Sequence, residues 1–449
     1  MRRRRPSLTS CRSKSRPAPS RLPMSRRSAM PPETPVQRIS AMPPMPGTEP
    51  RPAPKRWEQR TRPPDETLAA LTPLYDEMGI SRIADLTDLD RIGIPVAQAV
   101  RPYGLSLSVA QGKGTSLAAA MASAAMEAAE GWHAECVDLT RRVASLREAM
   151  PGVDPGDLPV RGCLDPDVQL SFVAGVNLLD GALAWLPSDL VHKDFTRPPE
   201  HPAFRRSTNG LASGNTRAEA IAAALHEVVE RDATAAFEAS GEAARRVSRV
   251  SVASVADRSR VLAELIGRIR SAGLHLWLYD MTHALGVPAY RADIAEVSSS
   301  GDGGAPVRRV HAGRGCSLCP VTAATRAITE AAQSRLTEIA GSRDDLAADA
   351  YAPPVTGNLF RGLAEIASAL ELRPRPFDRV DESGPCAEED VARLCARLSD
   401  HGYSRVLCAD LSRPGWPIHV VRVIVPGLGF LDGHLPRLAG SNRTAAHAE

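Results

Sequence analysis

The chain of 449 residues contains no run approaching the ~18–20 apolar residues of a membrane span, so no membrane association is expected. Its first residues lack the apolar core of a secretory signal. Eight cysteines (11, 136, 163, 316, 319, 386, 395, 408) are scattered along a large chain. Without a secretory signal, the expectation is reduced thiols and a cytoplasmic location. The one close pair, "CSLC" at Cys316 and Cys319, has no second C-x-x-C or C-x-x-H beside it. Ordinary packing is therefore favoured over zinc or redox chemistry there. No G-x-G-x-x-G follows a strand pattern, and neither a G-x-S-x-G elbow nor a Ser/His/Asp order presents itself. "AQGKGTS" imitates a phosphate loop, but Walker A requires a glycine where Leu107 stands, so no P-loop is expected.

Lysine is scarce. There are four (14, 55, 113, 193) against 51 arginines. In so biased a chain, Lys113 beside a Gly-rich segment suggests a site that wants a compact ammonium rather than a planar fork. A phosphate is the natural partner for it.

Hydrophobic residues make up 43% and charged ones 24%, ordinary values for a globular enzyme. The net charge of +3 is misleading about the body of the chain. Residues 1–50 hold eleven basic and two acidic residues, which leaves the remainder at −6 and removes support for a nucleic-acid-binding surface. The Arg/Pro/Ser-rich stretch 1–60 is too poor in large apolar groups to bury a core, and is expected to be a disordered tail. Met24, Met30, Met42 and Met45 offer alternative starts, and an organellar transit peptide is disfavoured by the prolines. A catalytic domain is expected over 61–436, and a flexible tail over 437–449.

Within that domain the pattern is mixed α/β (α+β). Helical periodicity is expected at 66–79, 255–272, 361–372 and 388–400. Strands are expected in "VQLSFVAGVNLL", "LAWLPSDLV", "LHLWLYDMT", "VPAYRADIAEV", "YSRVLCADL" and "IHVVRVIVP". A loop is expected at "GDGGAP". Three times a Gly-rich turn feeds an Ala-rich helix: "LSLSVAQGKGTS" then "SLAAAMASAAMEAAEGWHAECV"; "RRSTNGLASGNT" then "RAEAIAAALHEVVERDATAAFEAS"; "HAGRGCSLCP" then "VTAATRAITEAAQSRLTEIAG". The units are too few and too divergent for a solenoid.

The first two helices carry E-x-x-E pairs, Glu127/Glu130 and Glu227/Glu230. Residues at i and i+3 share a helix face, so each pair aims together. Adjacent carboxylates repel unless something positive lies between them. A single pair reads as solvated surface. Two pairs in the same Ala-rich surroundings point instead to four converging carboxylates holding a hard divalent cation, and Mg2+ is bound in just this way, through a few carboxylates and phosphate oxygens. Arg231, directly after the second pair, would supply phosphate-directed charge. Glu330 and Gln333 repeat the spacing on the third helix in a less charged form, with Arg335, Arg343 and Asp344 following. These read as a polar flank and a charged C-cap. His133 and His226 read as packed or exposed rather than catalytic.

Together, "GKGTSLAAAMASAAMEAAEGWHAE", "STNGLASGNTRAEAIAAALHEVVERDA", "GRGCSLCPVTAATRAITEAAQSRLTEIAGSRDD" and the late "VVRVIVPGL" resemble the YcaO family over about residues 65–435. The resemblance implies a YcaO-like ATP-binding fold without a P-loop, in which carboxylate pairs hold Mg2+ against ATP. It implies Glu127, Glu130, Glu227 and Glu230 as metal ligands. It implies Lys113, Ser123, Asn209, Arg231, Gln333 and Arg335 as cofactor-binding residues; the residues that act on the substrate are not identified. The implied activity is ATP-dependent activation of a peptide backbone amide oxygen, followed by its replacement with a Cys/Ser/Thr side chain (azoline), sulfide (thioamide) or an amine (amidine). Partners would be a peptide or protein substrate and a TfuA-like protein, with a homodimer as an option.

Three departures from the family pattern matter. Gly131 follows the first pair where arginine is usual. Gly429 ends the usual "PGLE". The C-terminus lacks the Pro-x-Pro-x-Pro ending of azoline-forming cyclodehydratases. "TEAAQSRLTEIAGSRDD" resembles the branch that works with TfuA, which favours thioamide formation. Azoline-forming cyclodehydration, and a non-catalytic accessory role in ribosomal protein S12 methylthiolation, are the alternatives.

Overall fold

A computed structural model of the chain describes residues 54–55, 59–296, 310–343 and 373–429. The expected tail (apart from residues 54, 55, 59 and 60), the "GDGGAP" loop, Asp344, the helix at 361–372 and the C-terminal tail lie outside the described residues. All described residues fall in one unit, 44–449.

Strands β1 (Arg82–Asp85), β2 (Val96–Val100) and β3 (Val109–Lys113) form one antiparallel sheet. A second has the order β4 (Arg141–Ser145), β5 (Gln169–Asn177), β12 (Leu407–Asp410), β13 (His419–Ile424) and β7 (Leu211–Gly214), with β6 (Leu183–Pro187) also paired to β5. The third runs β11 (His311–Cys316), β10 (Ala289–Ala295), β9 (His275–Asp280), β8 (Arg249–Val250). Helix α1 is Pro64–Leu71. Helices α2 (Leu117–Glu135), α3 (Arg217–Ala239) and α5 (Pro320–Ala340) directly follow β3, β7 and β11, while α4 (Arg260–Ser271) precedes β9 and α6 (Ala387–Asp400) precedes β12. The expected helix 255–272 is broken at Ser259, which is extended (φ −156°, ψ 133°).

The three Gly-rich segments are turns only in part: Asn209–Gly210 is one, with Gly210 at φ 75°, but each segment also holds a strand, with a glycine facing the helix that follows. A Cβ on Gly112 would stand 2.1 Å from the Ala124 nitrogen, and one on Gly214 2.4 Å from the Ala220 nitrogen. On β11, Gly313 and Gly315 would meet the Ala331 nitrogen and the Ala323 oxygen, both at 2.1 Å. The alternation Gly-x-Gly has the two-residue period of a strand face, so the same residues that resemble turn formers are the ones that let a helix backbone rest on a strand. Alanine on the helices completes the contact from the other side.

Helix entry is capped in the ordinary way. Ser116 accepts from the Ala119 amide (3.2 Å) and Thr216 from the Glu219 amide (3.1 Å). Helix α5 starts with Pro320 in its first turn and stops at Gly341, whose φ of 58° is the left-handed conformation glycine adopts freely. The first core packs Phe172, Leu186, Leu170 and Val420 against the alanines of α2. The second packs Leu262, Ile266 and Ile269 of α4, with Tyr290 and Ile294 of β10, against the alanines of α5. The body reaches back to Lys55, whose amide bonds Pro385 O (3.0 Å) and whose ammonium pairs with Asp390 at the start of α6.

The glycine contacts predict opposite signs for two alanine substitutions. Gly313→Ala forces a methyl into helix backbone that cannot rotate away, and should cost about 1–3 kcal/mol or more. Gly267→Ala, on the exposed face of α4 with nothing near the new methyl, should gain about 0.5–1 kcal/mol. Denaturant unfolding of the two variants checks both.

Candidate nucleotide and metal site

Helices α2, α3 and α5 each pack on their strand by the same kind of contact, and carboxylates from their middle turns act on one another. Glu130 of α2 reaches across to β7, where its Oε1 accepts from the Ser213 amide (2.9 Å) and from Ser213 Oγ (2.6 Å). The charges of Glu127 and Glu227 act on it, and Glu230 in turn feels Glu330 and Glu227. The two E-x-x-E pairs therefore share one region, as the spacing suggested, and Glu330 of α5 makes a fifth carboxylate. Glu230 is buried, and Glu130 and Glu227 are half-buried. Glu127 is exposed.

Burial pushes all four glutamates above the ordinary carboxylate range. At Glu130 the Ser213 hydrogen bonds oppose burial while Glu127 and Glu227 add to it, and the carboxyl is pushed up to about 8. Glu230 is raised to about 7, by burial and then by the nearby Glu330. The charges of Lys113, Lys193 and Arg343 temper the push at Glu127. Glu330 is the exception. Burial raises it, but Lys113 at 2.7 Å and the Arg314 amide at 3.2 Å hold it below the usual range.

The cations are as closely placed. Arg231 lies one turn from Glu227 (3.6 Å), and its half-buried guanidinium is held charged by Glu227, Glu230 and Glu330 despite the cost of burial. Arg326 of α5 acts on both Glu227 and Glu230. Arg422, in the middle of β13, is 3% exposed. It donates to Ser207 O (2.9 Å), and its Nε has no partner among the described residues. Burial lowers it to about 10, with Glu227 opposing. Asn209, in the same Ser207–Asn209 segment, keeps a buried Oδ1 without a partner.

The remaining expected residues divide. Ser123 lies on α2 one turn before Glu127, against Gly112. Lys113 is at the cluster, and its ammonium is engaged by Glu330. Gln333 donates from Nε2 to Gln111 O (3.0 Å), tying α5 to β3, and its Oε1 has no partner. Arg335 is drawn away to Asp90, 2.8 Å from its Nε. His226 accepts from the Leu318 amide (3.2 Å) and is lowered to about 3, chiefly by burial; His133 is lowered to about 4 for the same reason, between Trp132 and Trp416. Both are packed. Cys316 and Cys319 are buried free thiols. At Gly131, a Cβ would come 3.1 Å from Arg101 NH1, so the guanidinium of Arg101, paired with Glu135 at 2.7 Å, occupies the space beside it.

Sequence reasoning missed Glu330, Arg326, Arg422, Arg314 and Lys193 as members of this site. Signals existed for three of them. Arg422 is a lone cation in an apolar strand, Lys193 is one of four lysines, and Arg326 precedes Glu330 by one helical turn.

A nucleotide and Mg2+ suit these residues. The donors are all hard carboxylate oxygens, the class Mg2+ prefers. Among the described residues no group of three or more His, Cys, Asp or Glu is arranged to hold a metal by itself. Mg2+ characteristically keeps several waters and takes phosphate oxygens to complete its shell. The buried orphan atoms Arg422 Nε and Asn209 Oδ1 offer a donor and an acceptor for a polar ligand.

The sequence profile of the family described as YcaO cyclodehydratase, ATP- and Mg2+-binding, matches residues 111–429. An uncharacterized protein in the tfuA 3' region of Rhizobium leguminosarum bv. trifolii is 39% identical over 83% of this chain and 89% of its own length. Among solved structures, YcaO from Methanopyrus kandleri bound with AMPPCP and Mg2+ is similar (TM-score 0.57, 22% identity, 82% of this chain and 92% of that one). A heterocyclase in complex with substrate and cofactor also matches (TM-score 0.67, 21% identity, 86% of this chain). This chain spans about half the length of that heterocyclase, 55%. The chain belongs to the YcaO family. Its mixed architecture of antiparallel sheets and helices is the fold of those structures.

The raised carboxyls carry a pH prediction. Groups whose folded pKa lies above the unfolded value stabilise the ligand-free protein at low pH and lose that contribution as pH rises through about 7 to 8. Metal binding needs them deprotonated, so cation binding displaces protons. The rise in melting temperature on adding Mg2+ with AMPPCP should therefore be larger at about pH 8.5 than at about pH 6. An increment independent of pH would contradict the assignment of Glu130 and Glu230.

Proposed function

We propose that this chain is an ATP- and Mg2+-dependent enzyme that activates a peptide backbone amide oxygen by phosphorylation, leading to a thioamide made with a TfuA-like partner. The observation that carries the reading is the convergence of five carboxylates from α2, α3 and α5 with Lys113, Arg231, Arg326 and Arg422 around them. The relationship to a protein from a tfuA region supports the choice of partner and of sulfur chemistry.

Bound Mg–ATP would supply a phosphoryl group that turns the amide oxygen, a poor leaving group, into a good one. Glu127, Glu130, Glu227 and Glu230 hold the cation, and Ser213 orients Glu130 for that task. Arg231 and Arg422, whose charges both act on Glu227, balance phosphate charge. Lys113 sits between Glu330 and the cleft, so its ammonium can neutralise phosphate oxygens while staying paired. Ser123 and Asn209 line the pocket with neutral polar atoms. Gln333, held by Gln111, keeps α5 seated on β3, and Arg335, held by Asp90, ties it to the segment before β2. The catalytic domain runs over 61–436 on this reading, with location in the cytoplasm. Cyclodehydration to azolines is the second reading, favoured by the family's own description.

The test is incubation of purified protein with ATP, Mg2+, sulfide, a candidate peptide and a TfuA-like protein. Exchange of oxygen for sulfur in the product mass supports thioamidation, and loss of water supports cyclodehydration. No nucleotide binding and no ATP turnover would sink both. Glu227→Gln and Glu230→Gln should each abolish Mg2+-dependent ATP hydrolysis while the circular dichroism spectrum stays that of the parent. A fully active double variant would refute the metal assignment.

A further inference from the structure

The two faces of strand β11 meet different neighbours. Gly313 and Gly315 face α5, so Arg314 between them points to the other side of the sheet. Its cross-strand partner is Arg291 of β10, which also stands opposite Tyr279 of β9, and Tyr279 stands opposite Arg249 of β8. One row across the sheet therefore reads Arg314, Arg291, Tyr279, Arg249. Directly opposed side chains start about 4.5–5.5 Å apart at Cβ, and like charges placed so repel. The row begins at the carboxylate cluster, because the Arg314 amide donates to Glu330 (3.2 Å).

The last turn of α3 lies over this row. The Phe237 and Tyr279 rings are 5.9 Å apart between centroids, and the Arg291 guanidinium stands 5.9 Å from the Phe237 ring. Glu238, the next residue, is shared among three arginines. It pairs with Arg291 at 2.6 Å, Arg245 at 3.5 Å and Arg314 at 3.7 Å. Arg291 has a second acid in Asp293 (2.8 Å). Among the described residues Arg314 has no other carboxylate, and the one it has lies beyond hydrogen-bond reach. Its buried Nε has no partner there either. Burial, and then the charge of Arg291, hold this guanidinium below the ordinary arginine range.

Two guanidiniums opposed across a ladder, a third beside them and one glutamate among the three leave the row short of an anion. Glu238 shows which anion the gap accepts. It is exposed, in the last turn of α3, where a side chain can turn outward to make room. A carboxylate also matches the planar fork of arginine, which can hold both its oxygens at once. Nucleotide phosphates have their own counter-charges in Mg2+, Arg231 and Arg326, so the carboxylate must come from the other substrate. We propose that Arg314, with Arg291 and Arg245, takes an aspartate or glutamate side chain of the peptide substrate, and that Glu238 holds its place in the ligand-free chain. This rests on the peptide-modifying reading above and names its class of substrate, a peptide with an acidic side chain near the amide that reacts.

Calorimetric titration of two synthetic peptides into the full chain, without nucleotide and at low ionic strength, tests this. The probes are acetyl-Gly-Glu-Glu-Gly-amide and its twin with glutamine in place of both glutamates. The acidic peptide should bind and its twin should not. Arg314→Gln should weaken the acidic peptide by about fivefold or more, and Arg314→Lys should recover part of that. Glu238→Gln removes the competing carboxylate and should tighten the acidic peptide several-fold, an effect that a merely structural ion-pair cluster does not produce. Equal binding of the two peptides, or binding of neither, overturns the inference. So does a Glu238→Gln chain that binds the acidic peptide no better than the parent, a result that decides the matter even where Arg314→Gln fails to fold. Loss of affinity for AMPPCP with Mg2+ in Arg314→Gln, with the acidic peptide unaffected, would give the row to the nucleotide and also overturn it. The nucleotide reading is judged separately, by whether the parent chain binds AMPPCP with Mg2+, whatever the two peptides do.

Discussion

Three helices lie against three strands with no side chain between backbone and backbone. Everything distinctive about the site follows from that closeness. Gly112, Gly214, Gly313 and Gly315 let α2, α3 and α5 approach until a single methyl would collide with helix backbone at 2.1–2.4 Å. Helices held so near to their sheets cannot rotate to present a different face. The faces that carry Glu127, Glu130, Glu227, Glu230 and Glu330 are therefore set by the contact on the opposite side. Alanine serves the same end from the helix, at a low cost in helix propensity.

Holding five carboxylates together has an electrostatic cost, and the protein meets it unevenly. Glu330 is kept charged by Lys113 and by the Arg314 amide. Glu130 and Glu230 are pushed towards the neutral form by burial. The ligand-free site is thus a set of partly protonated acids surrounded by cations that are themselves only partly satisfied. Arg422 is buried with an unpartnered Nε. Such a balance favours a ligand that brings both signs at once, and a magnesium nucleotide does so.

Much of this was legible along the chain. The i,i+3 carboxylate pairs, the Ala-rich helices and the three-fold recurrence all lie within short windows, and local periodicity records them faithfully. The Gly-rich segments were legible as special but not as strands. Glycine marks both a turn and a close approach, and only the neighbour decides which. Arg422 showed as a cation in an apolar strand, but nothing local tells whether such a residue faces water or a buried acid.

Particular residues show where the division falls. Glu127 with Glu130, and Glu227 with Glu230, needed only helix geometry to be paired. Lys113 meets Glu330 across 217 residues and Arg335 meets Asp90 across 245. Both contacts depend on how β3, α5 and the segment before β2 stack. Two arginines of the same arginine-rich chain, Arg231 and Arg335, look alike in sequence, and one joins the cluster while the other is taken by Asp90. The sequence by itself determined the family, the helices and the carboxylate pairs, because hydrogen-bonded periodicity is a local property. Which cation answers which carboxylate was decided only by tertiary structure, because Coulomb energies depend on distances and burial that no short window contains.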